Sequence, residues 1–430
     1  MTSREAARML DTAPRRTPRR VTPKTALLMW LATAGPGLAV MLADTDAGSL
    51  ITAAQSGATW GYSLLLAQLV LIPIVFVVQE LTVRLGLVTG KGHGELIRER
   101  FGTGWAWLSV STLVLACAGA IVTEMSGIAG VGMMWGLPKW VGTLAVVAFL
   151  AIMVVTGSYR RVERVAIAVG LFELVFLVTM FLAGPDPHQI VRGLATFPIG
   201  NSDYMFLIAA NIGAVVMPWM IFYQQSAVVD KGLTVKHLRI ARWDTAVGSV
   251  ITQLVMVGML VTVAATLWAH GQQNASLNTV QDISDAITPH LGDFAGRVLF
   301  SLGMVGASLI AAIVASLTAA WGLGEVTGYK RSLEHSPREA PWFYAVFFVV
   351  ILAGAMIVLS GVNLIQLNLW VQVMNALLLP TVLTFLYLLA RKALSGRFRL
   401  AGAYRWIVLA IIAATAGLGV YSAVMGILGT

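Results

Sequence analysis

The chain has 430 residues, of which 58% are hydrophobic and 11% charged, and its mean hydropathy is +0.81. A soluble protein carries roughly a quarter of its residues as Asp, Glu, Lys or Arg, so an ordinary soluble enzyme is excluded, as is a disordered chain, which is poor in apolar residues. A single cysteine, Cys117, leaves no pair for a disulfide framework or a thiolate cluster, while the net charge of +9 keeps a nucleic-acid binder open until the basic residues are located.

A helix that crosses a bilayer needs about 20 mainly apolar residues. Residues 1–25 read as a polar, basic tail without a cleavable signal peptide, and eleven apolar stretches follow at about 26–56, 60–86, 104–134, 139–158, 164–184, 203–227, 243–269, 295–326, 341–360, 363–390 and 405–427. The connections are short except at about 185–202 and 270–294, so residues 26–430 read as one transmembrane domain. Basic residues fall in alternate connections: Arg15, Arg16, Arg19 and Arg20 in the tail, then Lys91, Arg98 and Arg100, Arg160 and Arg161, Lys231 to Arg242, Lys330 to Arg338, and Arg391 to Arg399. The other side holds only Lys139 and Arg192, with Arg297 at a rim. The positive-inside rule then predicts a multi-pass protein of the cytoplasmic membrane with its N-terminus in the cytosol and its C-terminus outside. Charge spread over every inner loop also removes the nucleic-acid reading. The Arg15–Arg20 run reads first as a topology signal and second as a contact for anionic lipid.

Two of these spans are interrupted. The first passes Gly35-Pro36-Gly37 and reaches Asp44-Thr45-Asp46-Ala47-Gly48-Ser49 at mid-membrane depth. Acids there are costly unless paired or solvated, which makes them functional candidates. Non-helical backbone at that depth is tolerated where it lines a cavity. The sixth span contains Gly213-Ala214-Val215-Val216-Met217-Pro218, where Pro218 has no N–H to give the carbonyl of Ala214. Breaks five spans apart, in corresponding positions of two halves, predict an inverted five-plus-five repeat with a ligand site near the midplane. The first repeat would cover about 26–184 and the second about 203–390, with 405–427 as an added helix. The competing reading, two packed helices merely kinked by Gly and Pro, does not account for the acids.

The groups expected to converge are the Asp46 carboxylate, the Ser49 hydroxyl, backbone carbonyls freed near Ala43 and Ala214, and the Met217 thioether. Hard oxygens suit a divalent cation, and a thioether favours Mn2+, Fe2+ or Cd2+ over Mg2+ or Ca2+. Met217 also has a bland reading, because most of the 18 methionines fill gaps.

At this point the sequence resembles the NRAMP family of divalent-metal transporters, over about residues 26–427. Gly35-Pro36-Gly37 precedes Asp46-Ala47-Gly48-Ser49, where the family has Asp-Pro-Gly-Asn; Gln79, Leu81 and Arg84 to Lys91 resemble the end of its second span; and Gly213 to Pro218 matches its sixth-span metal motif. The resemblance implies a LeuT-like fold, uptake of a divalent metal coupled to protons, and Asp46, Ser49, Ala43, Ala214 and Met217 as metal site. Departures are Ala47 for Pro, Ser49 for Asn, the additional Asp44, and Trp219 where the family has His. Glu124 stands in the third span for an Asp and Gly127 for a second acid, and the ninth span has no Arg. The residues implied for metal are mostly retained and those for proton movement mostly lost. Asp44, Glu124 and Glu173 are therefore the candidates for an additional ion or proton site. Gln372 and Asn375 on the tenth span resemble the family's inward-open amide contact, and interhelical hydrogen bonding is the equal alternative.

Glu80 and Arg84 read as a structural i,i+4 pair, and Asp203 as a helix N-cap. Gly90 to Gly94 lacks the spacing of a phosphate loop, and no Ser-His-Asp set, HExxH or Cys pair offers enzyme chemistry. The reading is thus an all-α integral membrane protein of about eleven transmembrane helices that carries Mn2+ or Fe2+ by alternating access, with the ion as cargo and no permanently bound cofactor. Partners beyond the ion are protons and the lipid bilayer. Mg2+ transport, with a partly hydrated ion, and an organic-solute carrier of the same fold are the alternatives.

Overall fold

The computed structural model describes residues 36–156, 159–270, 277–288, 292–330 and 335–429. The basic tail, the start of the first predicted span through Gly35, and Arg331 and His290 lie outside the described residues. The described chain is helical throughout. The first span is a pair, α1 (Pro36–Asp44) and α2 (Ala47–Trp60), and α3 (Leu65–Thr89), the short α4 (His93–Phe101), α5 (Thr103–Met134) and α6 (Lys139–Thr156) follow. The fifth span runs from α7 (Tyr159–Gly170) through a 3-10 turn at Leu171–Leu174 into α8 (Val175–Leu182). The predicted connection after it holds a further helix, α9 (Pro187–Leu194), folded back at 109°.

The sixth span is again a pair, α10 (Ser202–Val215) and α11 (Pro218–Asp230), then α12 (Leu238–Thr266), a loop helix α13 (Val280–Ile287), α14 (Asp293–Thr327), α15 (Pro341–Leu359), α16 (Leu364–Lys392) and α17 (Gly402–Leu428). Among the described residues eight helices are long and apolar enough to cross a membrane unaided: Leu65–Thr89, Thr103–Met134, Ser202–Asp230, Val235–His270, Asp293–Thr327, Pro341–Leu359, Leu364–Lys392 and Gly402–Leu428. The bent fifth span with α9 makes a ninth candidate, and Lys139–Val155 is a shorter apolar helix.

The distribution of polarity is that of a protein in lipid. Large apolar residues such as Phe181, Ile152, Val349 and Met356 are exposed, whereas Asp44, Asp46, Glu124, Glu173, Asn211, Gln224 and Gln253 are buried. An apolar surface costs nothing against acyl chains, so polar groups gather inside where they find one another.

Local chemistry sets both breaks. Asp46 is the N-cap of α2, in extended conformation, with Oδ1 accepting the Ser49 N–H at 2.6 Å; Asp is among the preferred residues there. Met217 is the extended N-cap of α11, and Pro218 takes the first helical position, which needs no N–H. Close approach requires glycine at Gly213, where a β-carbon would sit 1.9 Å from the Gln372 carbonyl oxygen, and so α10 and α16 pass backbone to backbone. At the sixth span's start the structure corrects one expectation: Asn201 is the N-cap, its Oδ1 accepting from the N–H groups of Asp203 and Tyr204. Asp203 lies inside the first turn, where its charge suits the helix dipole.

Candidate ion-binding site

The two breaks meet. Ser49 Oγ donates to the Ala214 carbonyl at 2.9 Å, the same carbonyl that Pro218 leaves without a ladder partner. In an unbroken helix the Ala47 N–H would bond the carbonyl of Ala43; here it donates to Glu124 Oε2 at 3.1 Å. Both predicted carbonyls are thus released from helical pairing, one by proline and the other by an acid on α5.

Asp46 is fully buried, and while Oδ1 is held by Ser49, Oδ2 has no hydrogen-bond partner. Buried polar atoms are nearly always paired, so the unpaired Oδ2 leaves Asp46 with a carboxylate oxygen able to take a cation. Gln372 reaches the same place: a β-carbon on Gly48 would come 2.1 Å from Gln372 Nε2 and 3.4 Å from Asp46 Oδ1. Its Oε1 accepts from Asn375 Nδ2 at 2.9 Å, and Asn375 Oδ1 is unpaired. The tenth-span amides therefore lie against the first break, with Gln372 as the nearer.

The additional acids flank this point. Glu124 Oε1 accepts from Thr123 Oγ1 at 2.9 Å, and its Oε2, on the Ala47 N–H, stands one residue from Asp46. Glu173, in the 3-10 turn of the fifth span, has Oε2 against Thr45 Oγ1 at 2.5 Å and Oε1 unpaired. Asp44 is 1% exposed with neither oxygen hydrogen-bonded. Among the described residues no three His, Cys, Asp or Glu side chains stand close enough to grip a metal ion together. An ion here would be held by a carboxylate with neutral oxygens.

Met217 is buried where the sequence places it, at the break, but its sulfur accepts the indole N–H of Trp219 at 3.1 Å. Trp219, at the position where the resembled motif has His, thus engages one of the thioether's two lone pairs, a contact that the sequence does not announce.

Buried acids outside the motifs tie the helices together. Asp244 on α12 accepts the Gly37 N–H at 2.9 Å, which anchors the start of α1 and explains the glycine of Pro36-Gly37. Glu325 on α14 accepts the Gly94 N–H at 2.7 Å and the Ser226 hydroxyl at 2.6 Å, tying α4, α11 and α14 at one end of the bundle. An acid late in an apolar span was the available signal for Glu325; for Asp244 it was an acid four residues before Gly248 near a span's start. Glu80 pairs with Arg84 at 2.5 Å as expected and is joined by Arg242 at 2.7 Å.

The divalent metal cation transporter MntH of Chromohalobacter salexigens is 28% identical to this chain over 304 residues, 67% of this chain and 69% of that protein. The manganese transporter of Eremococcus coleocola, solved with an aromatic bis-isothiourea substituted compound, has a TM-score of 0.74 at 18% identity, covering 94% of this chain and 88% of that one. A Na+-coupled sialic acid symporter in a substrate-bound outward-open state reaches 0.62 at 13% identity, covering 92% and 88%. The shared architecture is the LeuT-like fold. The family model described as Natural resistance-associated macrophage protein-like matches residues 37–425, and the chain belongs to this NRAMP family, whose members are transporters and not enzymes.

Proposed function

We propose that this chain carries a divalent metal ion, Mn2+ or Fe2+, across the cytoplasmic membrane by alternating access, N-terminus in the cytosol and C-terminus outside. The observation that carries the reading is the unpaired Oδ2 of buried Asp46 in the first break, where the Ala47 N–H turns to Glu124 and the Ser49 hydroxyl reaches the Ala214 carbonyl of the second. Asp46 is the anionic ligand, Ser49 a neutral oxygen once it leaves Ala214, and Met217 the soft atom once it leaves Trp219. Gln372 and Asn375 contact the ion as the site opens inward. The names of the matched transporters, MntH and a manganese transporter, support the ion class. Residues 26–184 and 203–390 act as the two repeats around this point, with 405–427 packed outside them.

One divalent ion balances two of the four buried acids around the two breaks, Asp44, Asp46, Glu124 and Glu173. Asp44, Glu173, which accepts from the Thr45 hydroxyl, and Glu124, which accepts the Ala47 N–H next to Asp46, are then the places where a second cation or protons complete the balance.

A second reading, Mg2+ transport, is favoured by the Trp219 N–H on the Met217 sulfur. Mg2+ keeps several waters and binds through one or two carboxylates. Uptake into proteoliposomes with Mn2+ and Mg2+ in competition, with internal pH monitored, separates the two. Mn2+ flux that persists in excess Mg2+ supports the first reading, and saturable Mg2+ flux blind to Met217→Ala supports the second. Asp46→Ala is expected to abolish either flux; unchanged uptake would overturn the site.

A further inference from the structure

Away from the midplane, one end of the bundle carries a cavity of about 570 Å³ between α3, the start of α12 and the segment before α17. Four cationic side chains line it, Lys236, Arg239, Arg242 and Arg397, together with Phe76 and Trp243. The nearest acid is already committed: Glu80 holds Arg242 at 2.7 Å and Arg84 at 2.5 Å. Lys236, Arg239 and Arg397 form no ion pair among the described residues, so the cavity is strongly positive. Arg397 lies over the Phe398 ring at 4.9 Å.

The cavity is also graded. Lys236 lies ahead of the first residue of α12, while Trp243 lies more than a turn inside it and is 61% exposed. Phe76 stands one turn deeper in α3 than Glu80. Charge thus sits at the mouth and aromatic surface runs from it toward the apolar belt. A free phosphate would use the first feature and leave the second bare. A phospholipid uses both, its headgroup on the cations and the start of its chains along Phe76 and Trp243.

We propose that this cavity is a binding site for an anionic phospholipid, the phosphodiester held by Lys236, Arg239 and Arg397 and the proximal acyl chain lying against Phe76 and Trp243. The site lies on α12, which packs on the first broken span through Thr252 Oγ1 to the Met41 carbonyl, so its occupancy bears on the helix that supports the ion site.

The test uses the full chain purified in detergent, with bound lipid read by native mass spectrometry and stability by thermal unfolding. Phosphatidylglycerol or cardiolipin is expected to remain bound and raise the unfolding temperature, whereas phosphatidylcholine is not. Removal of two charges in Arg239→Ala/Arg397→Ala is expected to weaken the anionic lipid about 25-fold, taking about fivefold per charge near a membrane surface. Arg239→Lys/Arg397→Lys keeps the charges and is expected to retain most of the binding, which separates lost charge from lost folding. Equal binding of anionic and zwitterionic lipid, or full binding by the alanine pair, overturns the proposal. An equal stabilisation by inorganic phosphate alone overturns the lipid assignment and leaves a phosphate site.

Discussion

The hydroxyl of Ser49 donates to the carbonyl of Ala214 across 2.9 Å, a bond that joins two broken helices 165 residues apart. It occupies two of the atoms proposed to bind the ion, so ion entry and release of this bond are coupled. Ser49→Ala is expected to leave the fold intact and to lower apparent Mn2+ affinity roughly five- to tenfold, the worth of one neutral oxygen at about 1 kcal/mol. The concentration dependence of Mn2+ uptake checks it, and an unchanged half-saturation removes Ser49 from the ligand set.

Two glycines near the site should respond differently to the same substitution. In Gly213→Ala the new β-carbon meets the Gln372 backbone oxygen at 1.9 Å and the Ala376 nitrogen at 2.8 Å, and neither can move without shifting α16. A cost of about 3 kcal/mol and a low yield of folded protein are expected. Gly48→Ala meets the end of the Gln372 side chain, which can swing aside. That variant should fold and transport poorly. Size-exclusion profiles and uptake, measured together, distinguish the two outcomes.

Glu325 is buried and binds the Gly94 N–H and the Ser226 hydroxyl. Glu325→Ala orphans a backbone donor at the start of α4 and unties α11 from it, with an expected loss of about 3 kcal/mol. Gly92→Ala should act in the same direction, since its β-carbon would fall 1.8 Å from Glu325 Oε1. Thermal unfolding in detergent reads both, and a wild-type unfolding temperature for Glu325→Ala would show that the tie carries no stability.

His93 precedes the third span and is fully buried, with Nδ1 at 3.0 Å from Gln225 Oε1. Burial lowers its pKa from 6.5 to about 4, against the smaller opposing effect of the Gln225 hydrogen bond. The unfolded chain therefore binds a proton between pH 6.5 and 4 that the folded chain refuses, and stability falls as pH drops through that window. The full loss amounts to about 3 kcal/mol. His93→Gln should flatten this part of the profile, and an identical slope in wild type and variant would assign it to other groups.

Much of the design is legible in one dimension. Apolar stretches, the alternation of basic loops, the Asp44–Ser49 interruption and the Gly213–Pro218 interruption are local signals, because hydrocarbon tolerates neither unpaired backbone nor lone acids and so leaves a mark wherever either occurs. Asp46, Ser49, Ala43 and Ala214 could be singled out on that basis, and the structure brings Ser49 and Ala214 into contact. Length and periodicity could not show that α9 folds back at 109° or that Asn201 rather than Asp203 caps the sixth span.

What only the tertiary structure decided is which buried polar group answers which. Glu173 reaches Thr45 across 128 residues, Asp244 reaches Gly37 across 207, and Glu325 reaches Gly94 across 231. Trp219 takes the sulfur that the motif alone would assign to the metal. Composition and spacing determine that such groups must be buried and must find partners; the choice of partner is made by how the helices pack, and packing depends on the whole chain at once.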